Sequence, residues 1–432
     1  MTSSSSYSRD NPQKQCRACQ NELDFIFADL GAQPIANDLI ESKSNIGSEP
    51  RYPLRVACCR ACRLVQIADD LPSDRIFRAD YVYQSSISSS FVEHARTHVG
   101  ELIEARDLDH RHHVVELASN DGYLLQFFKK RGISVTGIEP SASVAKIARE
   151  RHGIPTIERF FTAVEARRLV TEIGQADIIL ANNVLAHVPD LVDFLVGVKA
   201  LLKPEGLVSF EFPHLLSLLE GLQFDTIYHE HYSYLSLLAL EPLLHRAGLK
   251  VIDVKAIAVH GGSLRLSVVH DDSATAPDER VALLRAQEEI AQLDRDTPYR
   301  NFSEKIRKTC AKLKDILNAE NARGALVAAY GAPAKGNTLL NTAGIDASLI
   351  SFTVDKAPSK RGRYLPGSGL PILDPSLISV LKPDTILILP WNIKNEIISE
   401  LSFTQDWGAR FLIPIPEPVF ITPYDQDQRQ AS

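Results

Sequence analysis

Short apolar runs of strand length alternate through the middle of the chain with amphipathic stretches of helical length. His112-His113-Val114-Val115-Glu116-Leu117-Ala118 reads as a first buried strand. Ser134-Val135-Thr136-Gly137-Ile138-Glu139 reads as a second, with an apolar helical face through Phe127 and Phe128 between them. A helical stretch over about 91–105 precedes the first strand, and Ser141 is placed to cap a helix through Arg151. Residues 176–181 read as another strand, 191–202 as a helix closed by Lys203-Pro204-Glu205-Gly206, and 207–212 as a further strand. This alternation predicts βαβ units and a parallel sheet, with ligands at the carboxyl ends of the strands.

From about 278 to 322 the chain is rich in Glu, Arg, Lys, Ala and Leu, with Pro298 its one proline, and reads as a helical connector. A second α/β pattern follows, with strands expected at 325–331, 351–355, 385–390 and 410–413. No short-period repeat is present, although two successive α/β units fit an old duplication. The length of 432 residues predicts roughly three domains.

The cysteines give the first of these a ligand. Five of the six lie within the first 62 residues, as Cys16-x-x-Cys19 and Cys59-x-x-Cys62 preceded by Cys58, while Cys310 stands alone. In a reducing compartment two such knuckles suit a tetrahedral zinc ion. A redox disulfide or scattered buried thiols are the alternatives, and either leaves a module of about 70 residues with a poor core. Cys59 rather than Cys58 keeps the knuckle spacing. Four protein ligands leave no position for water, so this zinc holds a fold and catalysis lies elsewhere.

Lys and Arg number 47 against 54 Asp and Glu, a formal charge of −7, so no basic surplus exists to bind nucleic acid or an anionic membrane. With 44% hydrophobic and 23% charged residues the composition is ordinary globular. No apolar run approaches the roughly 18 to 20 residues of a membrane span. The first fifteen residues are polar and read as a disordered tail rather than a signal peptide, so a cytoplasmic location is expected. A monomer or weak homo-oligomer is the expected state.

The turn after the first strand is where a nucleotide-like cofactor sits, and Glu139 ends the second strand, 17 residues after Gly122, where an acid accepts ribose hydroxyls. NAD and S-adenosylmethionine both fit that much. Glu116 and Asp121 flank a turn that holds one glycine, Gly122, so the three-glycine dinucleotide pattern is absent. Carboxylates repel a pyrophosphate and suit the ammonium and sulfonium of S-adenosylmethionine. A structural turn that binds nothing is the plain alternative. The cofactor set is then Glu116, Ala118, Ser119, Asn120, Asp121, Gly122, Glu139, Pro140 and Asn182.

Asn182-Asn183-Val184-Leu185-Ala186-His187 follows the strand ending at Ala181, so its polar groups face the donor's methyl. It contains no Asn-Pro-Pro-Tyr type segment, which argues against methylation of a nucleobase or glutamine amino group. Tyr228-His229-Glu230-His231-Tyr232-Ser233-Tyr234 packs six titratable side chains into seven residues, ill suited to a core. Acid/base and oxyanion work is the favoured reading; a satisfied polar cluster and a metal site are the others, the last lacking the i, i+4 pair of histidines. His260-Gly261-Gly262-Ser263 either lets backbone approach a ligand or makes a turn. Ala332-Pro333-Ala334-Lys335-Gly336-Asn337 links a strand to a helix and offers amides and one cation to a diphosphate, or is a plain loop.

Taken in order, these segments resemble the deoxysugar C-methyltransferases, which methylate carbon 3 of a nucleotide-linked 4-keto sugar. The likeness runs from Cys16 to about Pro418 through Cys16-x-x-Cys19, Gly31-Ala32-Gln33-Pro34-Ile35-Ala36-Asn37, Cys59-x-x-Cys62 with Leu64-Val65-Gln66, and Ser119-Asn120-Asp121-Gly122. It continues through Gly137-Ile138-Glu139-Pro140-Ser141, Asn183-Val184-Leu185-Ala186-His187, Tyr228-His229-Glu230-His231, His260-Gly261-Gly262-Ser263 and Tyr330-Gly331-Ala332-Pro333-Ala334-Lys335-Gly336. Ala118 stands where that family usually has glycine.

The resemblance implies an α/β chain with a zinc-binding N-terminal module (1–80) and a class I methyltransferase Rossmann-like domain for S-adenosylmethionine (81–275). A helical connector and second Rossmann-like domain (276–432) would then anchor the nucleotide-sugar; the candidate substrate-binding residues are Lys335 and Asn337 in that domain and His260 in the preceding one. It also implies His231 as the base, with Tyr228, Glu230, Asn183, His187 and a tyrosine of the Tyr81/Tyr83 pair, preferably Tyr83, around the sugar. A carbon beside a ketone loses its proton only if the enolate oxygen is stabilised at the same time, and histidine suits the first task. A methyltransferase of the same fold acting on another small secondary metabolite is the main alternative, and a non-catalytic scaffold a third.

Overall fold

The computed structural model describes residues 15–69, 71 and 84–421. Its strands begin with β1 (Ile26–Pro34), β2 (Arg51–Cys58) and β3 (Val65–Ile67). Next come β4 (His113–Leu117), β5 (Ser134–Ile138), β6 (Thr156–Ile157), β7 (Ala176–Asn182), β8 (Leu202–Pro213), β9 (Ser233–Tyr234), β10 (Leu249–Ile257) and β11 (Ser263–His270). The last are β12 (Val327–Tyr330), β13 (Phe352–Val354), β14 (Ile372–Leu373), β15 (Thr385–Ile388), β16 (Arg410–Ile413) and β17 (Val419–Ile421).

The middle sheet has the order β10-β11-β8-β7-β4-β5-β6. β4 to β8 run parallel, and β11 is antiparallel to both of its neighbours. Helices cover both faces, so Val114, Val115, Ile179 and Leu180 are fully buried and the strands read as continuous apolar runs. The strand order reverses between β4 and β7, which opens a crevice at their carboxyl ends. Ser141 precedes the helix Ala142–His152 as expected, but its hydroxyl caps no amide of that helix; its own N–H is drawn back to the Glu139 carboxylate instead. Residues 203–206 are not a turn between helix and strand. β8 starts at Leu202 opposite Ala176, bulges, and pairs again at Leu207, while the Lys203 ammonium reaches across the bulge to Asp177 at 2.8 Å.

The C-terminal sheet, β14-β13-β12-β15-β16-β17, repeats the logic. Five strands are parallel, β17 is antiparallel, and the order reverses between β12 and β15. The connector forms helices Glu279–Ile290, Thr297–Arg300 and Phe302–Ala322. Both Rossmann-like sheets expected from the sequence are therefore present. No helix among the described residues is long and apolar enough to cross a membrane.

The first sheet, β1-β2-β3-β9, is antiparallel and takes its last strand from far along the chain, Val65 pairing with Tyr234. Residues 215–234 thus leave the middle sheet and join a core shared by the N-terminal module and the C-terminal domain. Within it the Phe27 ring lies 5.0 Å from Tyr299 and 5.9 Å from Phe302 of the connector.

Candidate functional site

The sulfurs of Cys16, Cys19, Cys59 and Cys62 all lie within 4.8 Å of one another, with 3.5 Å between Cys16 and Cys62 and 3.5 Å between Cys19 and Cys59. A tetrahedral zinc with bonds of about 2.3 Å needs sulfurs about 3.8 Å apart, so the cluster fits the ion. Gln66 donates to the Cys16 sulfur at 3.1 Å and Asn21 to that of Cys19 at 3.3 Å, bonds that orient and stabilise thiolate ligands. Cys58 is outside the cluster, buried in the shared core, where burial pushes its thiol up to about 11 and keeps it protonated.

The loop expected to hold the methyl donor follows β4. Ala118, Asn120 and Gly122 all have positive φ (52°, 49° and 79°), and the loop is pressed on β5 so closely that a Cβ on Gly137 would meet the Ser119 hydroxyl at 2.4 Å. Asn120 and Ser141 donate their backbone N–H groups to the two oxygens of Glu139 at 2.9 and 2.8 Å, which fixes the carboxylate at the crevice with lone pairs to spare. Burial pushes Glu139 up to about 7. Glu116 is raised well above the usual carboxylate range by burial and by the charges of Asp121 and Glu139. Glu116 Oε2, Asp121 Oδ1 and both amide atoms of Asn182 are buried with no hydrogen-bond partner. Three clustered carboxylates, two with orphaned oxygens, fit a cationic ligand with hydroxyls to bind and reject a pyrophosphate. Pro140 lies between Glu139 and Ser141 in this loop.

Ala118 carries the strain that glycine avoids: its Cβ in the left-handed region costs about 1 to 2 kcal/mol. Ala118→Gly removes that cost but gives back about 0.4 to 1 kcal/mol of unfolded-chain entropy. A net gain of about 0.5 to 1 kcal/mol is expected, read as a higher urea midpoint at unchanged slope. A lower midpoint would contradict the strain.

The residues expected on the acceptor side come from two segments. His231 donates its Nδ1–H to the Thr226 carbonyl at 2.8 Å, so Nε2 carries the lone pair, and the Tyr228 hydroxyl donates to it at 2.9 Å. The rings of Tyr228 and His231 lie 4.1 Å apart, tilted by 33°, and His187 lies edge-on to His231 at 4.6 Å. His187 donates its Nδ1–H to the Glu230 carbonyl at 2.7 Å, and burial drops it to about 4, which keeps it neutral. Glu230 is buried and accepts a bond from Asn37 of the N-terminal module at 2.6 Å. Asn183 holds φ +57° after β7, its backbone N–H donates to the Glu211 carbonyl at 2.6 Å, and its side-chain oxygen is a buried orphan. Tyr228, Glu230, His231 and His187 are thus one cluster, with Tyr234 edge-on to His231 at 6.2 Å. Tyr81 and Tyr83 lie outside the described residues.

The C-terminal residues fall differently. Lys335 starts the helix Ala334–Ala343, bonds the Asn392 side chain and lies 4.6 Å over the Trp391 ring, and burial lowers it to about 8. One of its three donors is thereby used, and the rest stay available to an anion. Asn337 is buried and spends its side-chain oxygen on Asn341 at 3.3 Å, which makes it a brace of the helix. At 260–263 the backbone approaches this chain's own groups: a Cβ on Gly261 would meet Trp391 at 2.8 Å and Gln223 at 2.9 Å. The His260 side chain lies outside the described residues.

Sequence reasoning missed Asn37, the Thr226 carbonyl and Trp391. Asn37 stands in Gly31-Ala32-Gln33-Pro34-Ile35-Ala36-Asn37, a segment marked without a role, and Thr226 lies two residues before the polar cluster. Trp391 carried no motif.

Three family models match the chain in succession: "Putative zinc binding domain" over residues 16–77, "Methyltransferase domain" over 91–254 and "C-methyltransferase C-terminal domain" over 258–416. The chain is 37% identical to the C-methyltransferase NovU of Streptomyces niveus over 415 residues, 95% of this chain and 97% of that one. A ubiquinone biosynthesis O-methyltransferase of Bordetella avium is 35% identical over 99 residues, 22% of this chain and 41% of its own. Among solved structures, the magnesium protoporphyrin IX methyltransferase ChlM of Synechocystis with bound S-adenosylmethionine aligns at TM-score 0.33 and 14% identity, over 41% of this chain and 79% of that one. The first of these likenesses runs through the cysteine knuckles, the donor crevice and the C-terminal sheet alike, and it places the chain in a family: it is an S-adenosylmethionine-dependent C-methyltransferase with an N-terminal zinc-binding domain.

Proposed function

We propose that the chain methylates carbon 3 of a nucleotide-linked 4-keto deoxysugar, with His231 as the base. The observation that carries this reading is the bond from His231 Nδ1–H to the Thr226 carbonyl, which aims an unprotonated Nε2 at the Tyr228 hydroxyl. A carbon acid needs such a base together with donors for the enolate oxygen. His231 takes the carbon 3 proton, and Tyr228, on the same lone pair, either orients the sugar or relays that proton. The Asn183 side-chain NH2 supplies a donor for the enolate oxygen, while His187, whose Nδ1–H goes to the Glu230 carbonyl, offers its Nε2 as an acceptor for a sugar hydroxyl. S-adenosylmethionine supplies the electrophilic methyl, held by Glu116, Asp121, Glu139 and Asn182. Residues 1–80 brace this centre, 81–275 bind the donor, and 276–432 anchor the nucleotide, with Lys335 as the cation facing its diphosphate.

A panel of nucleotide-linked 4-keto sugars and nucleotide-free secondary metabolites, incubated with donor in deuterated buffer, tests the proposal. Methylation confined to nucleotide-linked 4-keto sugars is expected, with deuterium entering carbon 3 when the donor is left out. Turnover of the nucleotide-free acceptors alone would overturn it.

A further inference from the structure

The reading of His231 as base leaves open what holds Thr226, whose carbonyl sets the imidazole tautomer. The neighbouring Asp225 is fully buried, with one carboxylate oxygen orphaned. Its other oxygen accepts the indole N–H of Trp391 at 2.6 Å. Trp391 belongs to a different sheet: it opens the loop after β15, beside the reversal of strand order in the C-terminal domain, where that fold binds ligands. The same ring carries Lys335 on its face and touches the backbone at Gly261. A carboxylate this deep costs free energy unless it is bonded and charge-compensated, and the Trp391 N–H and the nearby Lys335 ammonium do both.

We infer that Trp391 is a positioning residue for the methyl-transfer reaction, holding the catalytic base in register across the domain boundary through Asp225 and the Thr226 carbonyl. The inference rests on His231 being the base. The path is short and continuous: Trp391 N–H, Asp225 carboxylate, Thr226 carbonyl, His231 Nδ1–H. It ties the loop at the carboxyl end of β15 to the residue that removes the proton. A displacement of about 1 Å at a reacting group costs up to about a hundredfold in rate, so a lost bond three residues upstream of Tyr228 registers in catalysis without touching substrate.

Trp391→Phe tests the claim, because it keeps an aromatic face under Lys335 while removing the N–H donor along with part of the indole; Asp225→Asn, which leaves the ring in place, separates the two effects. With the acceptor turned over fastest in the panel above, kcat and the rate of deuterium entry are each expected to fall about tenfold. KM and donor affinity should stay close to wild type, while the melting temperature should fall, because the buried Asp225 carboxylate loses its donor. Asp225→Asn should give a similar loss, and the double variant no more than the worse single one. A readout independent of any acceptor is the imidazole N–H proton resonance of His231 in the histidine-labelled full chain, assigned by its disappearance in His231→Asn. That signal should shift or broaden in Trp391→Phe. An unmoved resonance, a loss confined to KM, or full additivity in the double variant would overturn the role. If His231→Asn itself retains deuterium entry, the base assignment has failed, whereas the resonance still reports whether Trp391 positions the imidazole.

Discussion

His231→Asn is expected to lower kcat by about a thousandfold or more while leaving donor binding within twofold of wild type. Asparagine is the informative replacement because its amide N–H can keep the bond to the Thr226 carbonyl, so the segment stays in place and only the proton acceptor at Nε2 is removed. The proposed donor residues Glu116, Asp121 and Glu139 belong to the end of β4 and to the loops after β4 and β5, a different part of the fold from the Tyr228–Tyr234 segment. Calorimetry with S-adenosylmethionine should therefore show an unchanged affinity. The discriminating measurement is deuterium entry at the acceptor carbon without donor, which reads proton abstraction alone. Loss of both turnover and exchange places His231 at the carbon acid. Exchange that survives while methyl transfer is lost would shift the base role to Tyr228 or Glu230 and leave His231 with a task later in the reaction.

How much of this was legible in the sequence depends on the range of the interaction. The parallel strands were, because burial on both faces forces unbroken apolar runs such as Val114-Val115 and Ile178-Ile179-Leu180. The zinc knuckles were, because their geometry is local. The sequence marked Glu116, Asp121 and Glu139 as the proposed donor residues, and the structure added a reason for glycine at position 118, namely a φ of +52°. The pairing of β9 with β3 was not, since two residues carry no periodicity and the partner of Tyr234 is Val65, 169 positions earlier. The same holds for Asn37 on Glu230 and Trp391 on Asp225, each a single bond between segments more than 160 residues apart. The extension of β8 through 203–206 was hidden by Pro204 and Gly206, which read as a turn but sit in a bulge.

Those long-range bonds give the zinc site a consequence out of proportion to its distance from the chemistry. Structural zinc contributes about 10 to 16 kcal/mol of apparent binding energy to domains too small to hold together alone. Here it closes the turns that flank β1 to β3, and those strands supply the pairing partner of β9 and the Asn37 bond to Glu230. Removing the metal with a strong chelator, or replacing Cys59 by Ser, should therefore release the segment that carries Tyr228 to Tyr234. Methyl transfer should be abolished. Donor binding should survive, because Glu116, Asp121 and Glu139 rest on the middle sheet, whose strands pair among themselves. Cys58→Ser is the control: its sulfur is outside the cluster, so one zinc per chain should remain. Zinc content by atomic spectroscopy, followed alongside turnover and donor affinity through a chelator titration, checks all three. Turnover that persists in metal-free protein would show that the middle sheet holds the catalytic segment unaided. Loss of donor affinity in step with zinc would show instead that the three sheets stand or fall as one cooperative unit.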